Sequence, residues 1–151
     1  MESYIGTKQI KGRPMTRAEY NTYRGWELPA DEDGTDEGML KDDGKGHEQW
    51  DPIETFNIDF KASGEMTFGH AVELLKAGQK VARSGWNGKG MFVYLVGGST
   101  FTVNRSPLNK FYLNGTEVTY RPHMDLVTAD GSISTWAPSN SDALAEDWGV
   151  V

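Results

Sequence analysis

The sequence predicts an α+β fold: a small, mostly antiparallel sheet with one main helix over residues 67–77, shorter helices, and an N-terminal extension. Three observations predict it. An apolar stripe at helical spacing (Phe68, Ala71, Val72 and Leu75, widened by Leu74) stands between Thr67 and Gly78. Six uncharged residues, Met91-Phe92-Val93-Tyr94-Leu95-Val96, follow a glycine-spaced loop and read as a strand. Ala129-Asp130-Gly131 joins two further strand-like runs, 124–128 and 132–136, as a hairpin would. A helix followed by hairpins belongs to the α+β class rather than to alternating βαβ units.

Each element has a local reason. Residues 1–13 are mixed, with Tyr4 and Ile5 as the only anchors. Thr16 and Glu19 form a capping box, and Met15 and Tyr20 occupy the hydrophobic-staple positions. A short helix over 17–24 follows, closed by Gly25. Trp26 and Leu28 are expected to dock behind it, and Pro29 ends regular structure. Residues 30–48 are acidic and glycine-containing and read as a solvated loop. The spacing fails the EF-hand template: counting from Asp31, the sixth position is Asp36 rather than Gly and the twelfth is Asp42 rather than Glu.

Asp51-Pro52-Ile53-Glu54 starts another short helix or turn, with Asp51 as the expected N-cap, burying Ile53, Phe56, Ile58 and Phe60. Ala62-Ser63-Gly64 reads as a linker, which divides the chain into an extension over 1–62 and a domain over 66–151. Thr67 caps the main helix. Residues 80–83 form a strand, Gly97-Gly98 a turn, 100–104 a further strand, and 105–116 a loop with an Asn114-Gly115 turn signal. Residues 117–120 form another strand. Ser139 or Ser141 caps a short helix over 142–145, and 148–151 end the described pattern as a strand.

Charge is distributed unevenly. Residues 1–26 carry five basic and two acidic side chains, residues 27–59 two basic and twelve acidic, and residues 60–151 eight of each. The net charge of −7 therefore belongs to the acidic segment. A neutral domain argues against long nucleic acid as a partner and leaves room for a small anion held by a few local cations. The acidic segment would repel an anion and is expected to lie away from any such site. No apolar run approaches the roughly 20 residues that span a bilayer, and no signal-peptide pattern is present. Zero cysteines exclude disulfides and thiolate metal sites and suit a reducing cytoplasm. His47, His70 and His123 have no ligand spacing, so no metal or other cofactor is expected. Glu146-Asp147 could do acid–base work, but adjacent acids after a helix are more often surface or capping residues.

The loop Arg83-Ser84-Gly85-Trp86-Asn87-Gly88-Lys89-Gly90 carries the chemistry. Two readings stand side by side. One is a tight hairpin whose Trp86 fills core. The other is an anion-and-ring site: positive-φ glycines expose amides, Lys89 and Arg83 neutralise phosphate, Trp86 stacks on a base and Asn87 pairs with its edge. Met91-Val93-Leu95 and Phe92-Tyr94-Val96 make the next strand apolar on both faces, so it is expected to be buried on both, by its own domain or by another subunit.

These residues carry a resemblance. The pattern Met66-Thr67-Phe68-Gly69, Leu74-Leu75-Lys76-Ala77-Gly78, Gly85-Trp86-Asn87-Gly88-Lys89-Gly90-Met91, Trp136, Pro138-Ser139, Asp142 and Ala145-Glu146-Asp147-Trp148 resembles the phage-encoded Thoeris anti-defence proteins of the second family over 66–151. Residues 1–60 lie outside that pattern and are similar to a segment of other small tailed-phage proteins. The resemblance implies a non-enzymatic sponge, acting in the host bacterial cytoplasm, that binds cyclic ADP-ribose isomers made by Thoeris TIR enzymes. It implies pockets between subunits of a homotetramer, and in some members a separate site for cyclic dinucleotides of the CBASS pathway. For such a ligand the candidate contacts are Trp86, Asn87, Gly88, Lys89, Gly90, Arg83 and Met91, with Trp136, Ser139 and Asp142 as further candidates. The rival classes are a virion or assembly component and a hydrolase that degrades the signal.

Overall fold

The computed structural model describes residues 2, 3, 6 and 8–151. Tyr4 and Ile5, the expected anchors, lie outside the described residues. The chain forms two compact units, Met1–Lys61 and Ala62–Val151. All strand pairings named below are antiparallel, and the α+β class holds in each unit.

The first unit runs β1 (Lys11–Pro14), α1 (Arg17–Arg24), β2 (Gly38–Asp42), β3 (Glu48–Pro52) and α2 (Ile53–Asp59), with strand order β1-β2-β3. The Thr16–Glu19 capping box forms in both directions, and Gly25 closes α1 with φ +71. Met15, Tyr20 and Leu40 are buried, with Trp50 against them; its indole N–H donates to the Met15 carbonyl at 2.7 Å. Four expectations are corrected here. The acidic run is not a loop throughout: residues 38–42 form the middle strand, because Leu40 has a core to enter and Asp43 turns the chain back through the amides of Lys45 and His47. Asp51 does not cap α2; it sits on β3, buried, in an ion pair with Lys41, and Pro52 takes the cap position without a side-chain hydrogen bond. Ile58 points to solvent rather than into the core. Trp26 and Leu28 dock only in part: Trp26 is 53% exposed and Leu28 38%, while Trp26 meets Tyr20 edge-on and Arg24 lies over its ring.

The second unit runs α3 (Phe68–Lys76), β4 (Val81–Arg83), β5 (Phe92–Val96), β6 (Ser99–Thr102), a 3-10 turn (Leu108–Lys110), β7 (Glu117–Tyr120), β8 (His123–Val127), β9 (Ile133–Trp136), α4 (Asn140–Ala143) and β10 (Trp148–Val150). Five strands make one sheet in the order β10-β4-β5-β8-β9, and β6 and β7 make a separate ribbon. Thr67 caps α3 as expected, with His70 completing the box, and Gly78 follows with φ +82. Ser139, not Ser141, caps α4, which starts two residues before the expected helix. The 62–64 stretch is not a free linker: Gly64 N donates to the Trp148 carbonyl at 2.9 Å and Ser63 Oγ accepts from Val150 N at 2.8 Å.

Residues directly opposite in an antiparallel ladder share a face. Val81 and Val93 pair, Val93 faces Leu126, and Trp136 faces Met124. That face packs on Ala71, Leu74 and Leu75 of α3 around Trp148, which is wholly buried. Phe92, Tyr94 and Val96 lie on the other face, paired with Val127, Asp125 and His123, and they stay half-exposed; Ile133 on the same face is 60% exposed. So β5 is covered on one face within its own unit and open on the other.

Candidate ligand-binding site

The β4–β5 connection brings the Trp loop beside the start of α4. Trp86 is half-buried, and its indole N–H donates to Asp142 Oδ1 at 3.1 Å. Its ring meets Trp148 edge-on at 5.4 Å and Trp136 at 6.2 Å, and Phe68 completes the cluster against Trp148 at 5.3 Å. Edge-to-face pairs of this kind each contribute about 0.5–1.5 kcal/mol beyond burial, so the indole plane is fixed. Trp86 is thus packed against core on part of its surface and exposed on the rest.

Asp142 is the hub. Its Oδ1 also accepts from Arg83 Nη1 at 2.8 Å, and its Oδ2 accepts from Ser139 N at 3.1 Å and Ser139 Oγ at 2.7 Å. Burial pushes this carboxyl up, but hydrogen bonds from Ser139, Arg83 and Trp86 outweigh it and hold the group at about 2. Asp147 takes the other side of Arg83, accepting from Nε at 2.7 Å, and its Oδ2 accepts from the Gly85 amide at 2.8 Å. The Arg83 hydrogen bond is the main cause that holds Asp147 below the usual carboxylate range. The same two carboxylates, Asp147 first, raise the Arg83 guanidinium.

This geometry corrects three expectations. Arg83 is not an unpaired cation waiting for phosphate, because two carboxylates already balance it. Of the three loop glycines only Gly90 has positive φ, at +73. Gly85 and Gly88 are needed for space: a Cβ on Gly85 would stand 2.7 Å from Asp147 Oδ2, and one on Gly88 would collide with Met91 and Ala129. Met91 itself precedes β5 and folds over Gly88.

The structure therefore brings together Arg83, Trp86, Trp136, Ser139 and Asp142. Asn87 and Lys89 stand exposed on the same loop, and Lys89 forms no ion pair among the described residues. The amides of residues 88–90 donate no hydrogen bond among the described residues, which leaves them available to an anion. The sequence reading missed Asp147 as part of the site. The signal that could have found it is the need of a half-buried arginine for counter-charge.

A concavity of about 490 Å³ lies apart from this site, along the β6–β7 ribbon, walled by Phe101, Val103, Arg105, Leu108 and Tyr120, and holds none of the residues singled out above. Among the described residues no group of three His, Asp or Glu is placed to hold a metal ion, and no helix is long and apolar enough to cross a membrane.

Comparison with known proteins places the match on the same stretch. Residues 66–151 match the family model described as a Thoeris anti-defense 2-like domain. A protein of Bacillus phage SP01 named Thoeris anti-defense 2 is 41% identical over 87 residues, which cover 58% of this chain and 96% of that protein.

Proposed function

The chain belongs, through residues 66–151, to the Thoeris anti-defense 2-like family, and on that premise we propose that it is a non-catalytic sponge for cyclic ADP-ribose-type signals. It captures glyco-cyclic ADP-ribose made by bacterial Thoeris TIR enzymes in the host cytoplasm, and so keeps the signal from its effector. The observation that carries this reading is a half-buried Trp86 locked by Asp142 on a loop where Asn87, Lys89 and the 88–90 amides have no hydrogen-bond or ion-pair partner among the described residues.

Adenine needs an aromatic face and an amide partner, which Trp86 and Asn87 supply. Stacking of a base is worth about 1–3 kcal/mol. The pyrophosphate falls to Lys89 and the amides of Gly88 and Gly90, since Arg83 is already balanced. Charge-assisted hydrogen bonds add about 1.5–3 kcal/mol each. A sponge must outcompete a receptor, and nanomolar binding, about −12 kcal/mol, is the scale required. Capture without cleavage is supported by the state of the carboxylates. A general acid or base works best with a pKa near the operating pH. Asp142 is held at about 2 with both oxygens engaged, and Asp147 is held down by Arg83.

The open face of β5 supports self-association that buries Phe92, Tyr94 and Val96 between copies, in keeping with the proposed homotetramer. Mass analysis of nucleotide released by heat from the recovered protein tests the proposal. Intact signal is expected; cleaved signal makes the protein a hydrolase, and no retained signal removes the nucleotide-binding reading altogether.

A further inference from the structure

Asp147 reads from sequence as one of a pair of surface acids, yet it touches the loop at every point where the loop leaves β4. Its carbonyl accepts from Ser84 N at 3.2 Å, its Oδ2 from Gly85 N at 2.8 Å and Ser84 Oγ at 3.4 Å, and its Oδ1 from Arg83 Nε at 2.7 Å. Asp147 is itself immobilised by its neighbour. Trp148 is wholly buried, exchanges backbone hydrogen bonds with Met66 at 3.0 and 3.1 Å, and donates its indole N–H to the Asp142 carbonyl at 3.0 Å. One buried residue thus seats both carboxylates, and both carboxylates grip Arg83.

We infer that Asp147 is the positioning residue of the site: through the Gly85 amide and the Arg83 guanidinium it fixes where Trp86 stands, and thereby sets the affinity for an adenine-bearing signal. The second half of this statement rests on the function proposed above. Arg83 is then an internal bracket between Asp142 and Asp147, and its charge never meets the ligand. Gly85 is part of the same device, because any Cβ there would push the Asp147 carboxylate off the amide.

Two substitutions displace this contact by different means. Asp147→Asn removes one of the two charges that Arg83 pairs with, and Gly85→Ala moves the carboxylate while leaving every charge in place. In the full chain each is expected to weaken binding of glyco-cyclic ADP-ribose by about tenfold or more, the effect of one lost charge-assisted hydrogen bond. Because both act on one contact, the double variant is expected to bind no worse than the weaker single variant. In the free protein both should shift the Gly85 amide and Trp86 indole resonances. Resonances that stay in place, affinities within about twofold of the starting protein, or effects that multiply in the double variant overturn the inference. If the unsubstituted protein ignores glyco-cyclic ADP-ribose, the proposed function falls, and the free-protein resonances still decide whether Asp147 positions the loop. Should Asp147→Asn fail to fold, Gly85→Ala decides alone.

Discussion

At the scale of the residue, an arginine between two carboxylates is a structural part, and a lysine on an exposed loop is an open cation. That difference brackets Arg83 between Asp142 and Asp147 and, under the proposed function, leaves phosphate to Lys89. It also has a signature in acid. The folded value of Asp142 is about 2, below the ordinary value near 3.9, so its contribution to stability is complete above about pH 4 and is lost as pH falls through about 2. The contribution is on the order of 2 kcal/mol at neutral pH. Asp43, held down first by the Lys45 amide, and Asp130, held down first by the Thr128 hydroxyl, are also at about 2 and titrate in the same window. Denaturant midpoints followed by tryptophan fluorescence should be flat from about pH 5 to 8 and fall below about 4, and Asp142→Asn should flatten that fall. An unchanged acid slope in the variant would remove the hub. The companion test is Trp86→Ala with Asn87→Ala. Losing one stack and one polar contact should weaken binding by a few powers of ten with fold intact. Calorimetry showing undiminished affinity would reduce the loop to a hairpin.

At the scale of the element, what sequence reveals depends on how local the cause is. The capping box at Thr16 and the cap at Thr67 are legible because each is made within four residues, and the Asp130-Gly131 hairpin because its turn chemistry is its own. Thr67→Ala should cost α3 about 1 kcal/mol, read as a lowered melting temperature. The hairpin β2–β3 is not legible, since acids outnumber apolar residues in 27–52 and only Leu40 and Trp50, ten apart, reveal a core. The Arg83 bracket is hidden for the opposite reason: its partners lie 59 and 64 residues away. Excising 31–46 as a loop would remove β2, the middle strand, and unfold the first unit. The clean cut follows Lys61. Residues 62–151 alone are expected to fold and to bind glyco-cyclic ADP-ribose as the full chain does. A loss beyond about tenfold in a folded fragment would show that the first unit takes part in binding.

At the scale of the whole molecule, the family match and the second unit coincide: 66–151 lies inside Ala62–Val151. The open sheet face is the remaining physical demand. A strand with Tyr94 and Val96 half-exposed in a unit of 90 residues is expected to find a second copy. Light scattering should report a tetramer, and Val96→Lys, which places a charge on the open face, should lower the mass. A monomer at micromolar concentration in the unsubstituted protein would remove the shared-interface account. The central claim, that this protein holds a nucleotide signal without cutting it, is met most directly by native mass spectrometry of the full chain mixed with the product of a Thoeris TIR reaction. The account predicts an oligomer carrying whole multiples of the intact glyco-cyclic ADP-ribose mass, and an oligomer with no added mass, or with the mass of a cleaved product, would contradict it.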